Sequence, residues 1–183
     1  MNLLGDIKQD ILMLGKRTSF FRFLNLLIFD AGFFAVFMFR IYSRLYKRNI
    51  LLKLLAKILW RINIIISGCY LQPQASIKGG LCLPHPTGVV VGEGVVIGES
   101  VRVYQSVTLG KGSDGCYPTI QDNVVIYASS TIVGNATIGM FSIIGANSFV
   151  NKSCENHSVL AGAPARSILP HKKRSGQQRT EQN

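Results

Sequence analysis

Acidic residues are scarce in this sequence: nine Asp+Glu against 20 Lys+Arg leave its 183 residues with a net charge of +11. Also few are the histidines, His85, His157 and His171, and the cysteines, Cys69, Cys82, Cys116 and Cys154. The cysteines show no C-x-x-C spacing and no His at zinc-finger distance. That excludes a metal knuckle or a redox pair and leaves them as small core residues or bystander thiols. Long apolar runs are missing too, because Arg22, Asp30, Arg40 and Arg44 interrupt every candidate for the roughly 20 clean apolar residues that a bilayer span needs. The apolar stretch begins only near Phe20 and is broken by Arg22, Asn25 and Asp30, unlike the unbroken core of a secretory signal. The expected location is therefore the cytoplasm, and Asn135-Ala-Thr, Asn151-Lys-Ser and Asn156-His-Ser are chance matches to the glycosylation triplet. Gly92-Glu-Gly94 lacks the third glycine of a dinucleotide loop, position 97 being Ile; Lys111 lacks the upstream glycine of a phosphate loop, position 105 being Gln.

What is present is an apolar fraction of 48%, enough to exclude disorder for most of a chain whose length fits one domain with a short appendage. The charge is uneven: residues 1–70 carry +8, residues 77–150 carry −1, and residues 151–183 carry +4. A basic head and tail around a neutral body exclude nucleic acid, which wants cations interleaved with aromatics on the folded surface. Lipid headgroups or a phosphorylated ligand fit better. From Phe20 to about Ile66 the pattern is helical, with breaks near Asp30-Ala-Gly32 and Arg48-Asn49. Lys53, Lys57 and Arg61 recur on one face of the last helix, while Leu51, Leu55, Ile58, Leu59 and Ile62 fill another. Two readings stay open. The helix lies peripherally on an anionic membrane, on the inner face, helped by Arg40, Arg44, Lys47 and Arg48, or it packs on the domain or a neighbouring subunit with its basic face solvated.

A six-residue period decides the middle of the chain. Val91, Ile97, Val103 and Leu109 are aliphatic at spacing six, and Ile120, Ile126, Ile132, Ile138, Ile144 and Val150 resume it after a loop. Four residues beyond each lies a small or narrow side chain, and Gly follows the aliphatic at 92, 98, 110, 139 and 145. Period six is neither helical nor a simple strand alternation. It describes a triangular parallel β-helix in which six residues form each flat side, the aliphatic points into the axis and Gly suits a corner with awkward backbone angles. Ile77 and Leu83 extend the spacing backwards, with a two-residue slip before Val91; twelve repeats predict about four turns. The step from Leu109 to Ile120 is too long, and the surplus within Lys111-Gly-Ser-Asp-Gly-Cys-Tyr-Pro118 is expected to leave the coil as a functional loop. The predicted fold class is mainly β. Residues 1–68 would form the helical segment, 69–168 the coil and 169–183 a disordered basic tail.

Leu83-Pro-His-Pro-Thr-Gly-Val-Val-Val-Gly-Glu93, Gln105-Ser-Val-Thr-Leu-Gly110, Tyr117-Pro-Thr-Ile120 and Ala161-Gly-Ala-Pro-Ala-Arg166 together resemble the hexapeptide-repeat acyltransferases, and within them the serine acetyltransferase branch. The resemblance implies a left-handed β-helix, an exception to the usual right-handed crossover, assembled as a homotrimer with sites between neighbours. It implies acetyl-CoA as co-substrate, no metal, and His85 as the base that takes the proton of an acceptor hydroxyl for direct attack on the thioester. Backbone amides near Gly110 and Gly112 would face the oxyanion. Ala128 and Ala146 match the residues along the pantetheine, and Lys152 and Arg166 are the candidates for the nucleotide phosphates.

Where the branch carries Asp before the catalytic His, this chain has Pro84; Cys116 and Tyr117 replace an Arg-His pair, and Tyr70 replaces the Asp that orients the base. The second ring nitrogen of His85 is left with Glu93, the Tyr70 hydroxyl or a backbone carbonyl as alternatives. A pocket without those charges, with Tyr70 and Tyr117 against the acceptor, suits a sugar hydroxyl of a surface polysaccharide or its precursor. Serine O-acetylation is the alternative, and a non-catalytic membrane-docked scaffold the alternative that is no enzyme.

Overall fold

A computed structural model describes residues 2–15 and 19–168, so the expected disordered tail lies outside the described residues. Four helices come first: α1 (Leu3–Met13), α2 (Phe20–Phe29), α3 (Ala31–Tyr46) and α4 (Ile50–Ser67). The breaks fall at the predicted positions. A side chain at each break caps the next helix, Asp30 accepting from the Phe33 amide and Asn49 from the Leu52 amide, and Gly68 closes α4 in the left-handed region. The helical pattern expected from Phe20 onward leaves out α1, although Asn2 caps it and Ile7, Ile11 and Leu14 recur at helical spacing toward Leu26 and Phe33.

The rest is a solenoid of three parallel sides. The first holds β1 (Tyr70–Leu71), β3 (Val90–Val91), β6 (Thr108–Gly110), β9 (Thr131–Val133) and β12 (Phe149–Val150). The second holds β2 (Ser76–Ile77), β4 (Val96–Ile97), β7 (Thr119–Ile120) and β10 (Thr137–Ile138). The third holds β5 (Arg102–Val103), β8 (Val125–Ile126), β11 (Ile143–Ile144) and β13 (Val159–Ala161), to which β14 (Arg166–Ser167) adds antiparallel. Like residues sit over like: Leu71, Val91, Leu109, Ile132 and Val150 line up on the first side, and Ile77, Ile97, Ile120 and Ile138 on the second. All are buried. Each such side chain contributes roughly 1.5–3 kcal/mol on leaving water, and the ladders pair the backbone of every side.

Three details correct the sequence reading. The coil has five turns rather than four, because Leu71 begins a turn and Leu160 ends one. The last turn is two residues short, so Cys154, which the spacing put among the small residues, bridges to Ile138 instead. Glycine after the aliphatic does not supply the unusual corner angle: positive φ falls on Ser100, Ser106, Asn123, Ser129, Phe141, Asn147 and His157. Gly98 and Gly139 are there for space, since a Cβ on Gly98 would overlap the Asp122 carboxylate and one on Gly139 would reach the Asn156 amide.

The helices grip the coil through α3. Arg40, 1% exposed, pairs with Asp10 of α1 at 3.0 Å and donates to the carbonyls of Ile77 and Lys78. Asp10 also accepts from the amides of Gly80 and Leu81. Burial pushes the Asp10 carboxyl upward, while the Arg40 guanidinium and both amides pull it down; four facing donors require the carboxylate at neutral pH. Arg44 bridges Asp6. Arg40 is therefore committed inside the fold and does not serve the membrane face expected of it, while Arg44 stays partly exposed in its pair with Asp6. Tyr42 donates to the Leu71 carbonyl, and desolvation raises its phenol. Asp10→Ala should strand the guanidinium and lower stability by about 3–5 kcal/mol, read as a shift in the urea midpoint at fixed protein concentration.

Candidate active site

His85 owes its position to the slip between Leu83 and Val91. Leu83 stays buried on the third side, where Cys82 bridges to Arg102, and Val89 and Val91 return to the interior. The two surplus residues are pushed out, so that His85 is exposed while Pro86 is buried. Glycines from the helical segment brace this stretch. A side chain on Gly32 of α3 would overlap the Leu83 carbonyl, and Gly68, whose carbonyl accepts from the Gly88 amide, lies against Thr87. Gly32 and Gly68 carry no sequence signal of this role; only their contacts across the fold mark them.

Below His85 runs a column of corner residues. The Ser106 amide donates to Thr87, that of Ser129 to Gln105 and that of Asn147 to Ala128, which stacks Thr87, Gln105, Ala128 and Ala146 along one edge. The buried Oε1 of Gln105 has no hydrogen-bond donor among the described residues, making it an acceptor not singled out from sequence. At the lower end Lys152 and Arg166 come together, lining one cavity of about 340 Å³ with Asn151, Ser153 and Ser158. His85, both alanines and both phosphate candidates thus fall on the third-to-first edge and the end of the coil.

The remaining candidates gather elsewhere. Tyr117 lies over Gly92-Glu93-Gly94, where any Cβ on either glycine would enter its ring, and its hydroxyl donates to Glu93 at 3.4 Å. Gln74 donates to the other Glu93 oxygen. Desolvation first, and the Glu93 charge second, raise the Tyr117 phenol, which keeps it a donor at neutral pH. This corner joins the first side to the second, at the opposite end of β3 from His85. Glu93 is spent on Tyr117 and Gln74, and the Tyr70 hydroxyl accepts from Gln72 while its ring meets Trp60 at 5.1 Å. Neither bonds His85 within the chain.

The loop between β6 and β7 closes on itself. The Gly112 amide, an expected oxyanion donor, is taken by the Cys116 carbonyl at 2.9 Å. A Cβ on Gly110 would make ordinary contact with the Thr108 and Val133 side chains at 3.7 and 3.8 Å. Asp114 accepts from the amides of Cys116 and Asn135, which hold its carboxyl below the usual range and clip the loop to the coil.

A family model described as bacterial transferase hexapeptide (six repeats) matches residues 117–152 of the coil. A serine acetyltransferase from Staphylococcus xylosus is 34% identical over 177 residues, covering 94% of this chain and 81% of the relative. The crystal structure of Neisseria gonorrhoeae serine acetyltransferase in complex with serine superposes with a TM-score of 0.81 at 30% identity, covering 91% of this chain and 69% of that one. That of serine acetyltransferase from Brucella abortus strain S19 in complex with coenzyme A gives 0.80 at 33% identity, over 90% and 67%. The chain belongs to the hexapeptide-repeat acyltransferases, in their serine acetyltransferase-like branch.

The clip by Asp114 is present above the ordinary carboxylate pKa of about 3.9 and is lost as pH falls through its lower folded value. The amide proton shifts of Cys116 and Asn135 should titrate together below that ordinary value by NMR, and Asp114→Asn should abolish the step.

Proposed function

We propose that this chain moves acetyl from acetyl-CoA to an acceptor hydroxyl with His85 as general base. The observation that carries the reading is the exposed imidazole, held out of an otherwise continuous aliphatic stack by a two-residue insertion and braced by Gly32 and Gly68. The imidazole takes the hydroxyl proton as the oxygen attacks the thioester carbonyl. The C–S bond then breaks, and the thiolate of coenzyme A leaves with that proton from the ring. The stacked small residues Ala128 and Ala146 would admit the pantetheine arm, and Lys152 with Arg166 would meet the phosphates.

A homotrimer fits the split between the two clusters. With the His85 edge of one copy facing the Glu93–Tyr117 corner of the next, the site would draw on residues of both copies. Glu93 and the Tyr70 hydroxyl are both engaged within their own chain.

Kinship supports serine as acceptor better than a sugar, since the relatives bear that name and the gonococcal neighbour holds serine. One observation favours a sugar as second reading. The positions where charges for an amino acid were expected are Pro84, Cys116, Tyr117 and Tyr70, none of them Asp, Arg or His. Free-thiol release from acetyl-CoA should be measured with L-serine and with a panel of nucleotide sugars and glycans. Turnover with serine alone ends the sugar reading, and no turnover with any acceptor ends the enzyme reading. His85→Ala should lower turnover by about 10²–10⁴ while sedimentation velocity shows an unchanged assembly; undiminished activity would remove His85 as the base.

A further inference from the structure

Helix α4 turns most of its large apolar side chains away from its own core. At 100° per residue, Ala56, Asn63 and Ser67 fall on one face and are buried, with Leu59 and Trp60 on the same side partly buried against the core. Asn63, 0% exposed, donates to the Ala35 carbonyl of α3, and Ser67 donates back to Asn63. Leu51, Leu54, Leu55, Ile58, Ile62 and Ile65 occupy the opposite face and are exposed, Ile65 to 73%. Lys53, Lys57 and Arg61 form a stripe along one flank of that apolar face. Packing on its own domain accounts for one face of this helix and leaves the leucine and isoleucine face uncovered. The shorter α2 packs Leu26, Phe23 and Leu27 inward and likewise leaves Phe20, Phe21, Ile28 and Phe29 outward, Phe21 to 82% exposed.

We infer that the outward faces of α2 and α4 dock on the surface of an anionic lipid bilayer, the apolar side chains entering the headgroup boundary and the cations meeting lipid phosphates. A second copy of the chain is a poor occupant on grounds of charge. Between Phe20 and Gly68 the only acid is Asp30, already capping α3, so a like helix would bring cations against cations. Arg22, Lys53, Lys57 and Arg61 form no ion pair among the described residues. No single described helix is long and apolar enough to span; α2 and α3 reach that length and composition only together, across a 104° bend, and α3 is buried against the coil. An in-plane helix with a wide apolar face and a cationic flank is the form that binds by insertion and headgroup attraction together.

Vesicle sedimentation of the full chain, read without acetyl-CoA or acceptor, tests this apart from the proposed reaction. The protein should sediment with phosphatidylglycerol vesicles, far less with phosphatidylcholine, and progressively less as salt rises. Lys57→Gln with Arg61→Gln should weaken partition into the anionic vesicles by roughly 25-fold, about fivefold per cation removed. Leu54→Glu with Ile58→Glu should abolish sedimentation while circular dichroism and molecular mass stay unchanged. Equal binding to both lipids, or unaltered binding by either variant, overturns the inference. So does a fall in molecular mass of the Leu54→Glu, Ile58→Glu protein, which would assign the face to a contact between copies.

Discussion

A chain wound around a dry axis must bring a side chain of the same size back to the same place on every turn, because the interior is one residue wide on each side and has no slack. That constraint organises the coil. Leu71, Val91, Leu109, Ile132 and Val150 stack on one side, and their neighbours do the same on the other two. The serines that share the interior are tolerated because each bonds a backbone carbonyl: Ser130 and Ser148 donate to Gly145, and Ser142 to Glu155. A polar group without such a partner would break the stack at that level.

A scaffold this regular can display a reactive group only where the count changes. Two residues too many between Leu83 and Val91 put His85 outside; five too many between Leu109 and Ile120 make the loop that Asp114 clips down; two too few after Val150 shorten the last turn beside Lys152 and Arg166. The chemistry and the irregularities coincide because the interior residues are fully occupied in holding one another. The helical segment then stiffens the first irregularity, with Gly32 set against Leu83 and the Arg40–Asp10 pair holding α1 and α3 to the second-to-third corner.

Much of this could be read from spacing. The aliphatic column, the insertion at His85, the projecting loop and the helix breaks at Asp30 and Asn49 are all one-dimensional signals, since each depends on neighbours a fixed few residues away. The candidate site was legible as a set of residues and not as an arrangement. His85, Ala128 and Ala146 share one edge, whereas Glu93 and Tyr117 lie at another; counting by six separates the corners but does not show the contacts at them, such as Tyr117 over Gly92 and Gly94. The glycine pattern was visible but its cause was misread, because the approach of Asn156 to Gly139 is a contact between turns rather than a property of one.

For the sequence alone, then, the determinable part was everything that repeats: period six, the axis-facing aliphatics, the places where the period fails, and the excess of cations near the start. Tertiary structure decided the direction of things. An amphipathic pattern states that a helix has two faces and leaves open which is turned inward; α3, already anchored by Arg40 and Tyr42, offered α4 a surface that takes Ala56, Asn63, Leu59 and Trp60 and leaves most of its leucines and isoleucines outside. Burial is settled by the partner surface and not by the helix itself, so the outward apolar face of α4 exists only once the rest of the molecule is in place.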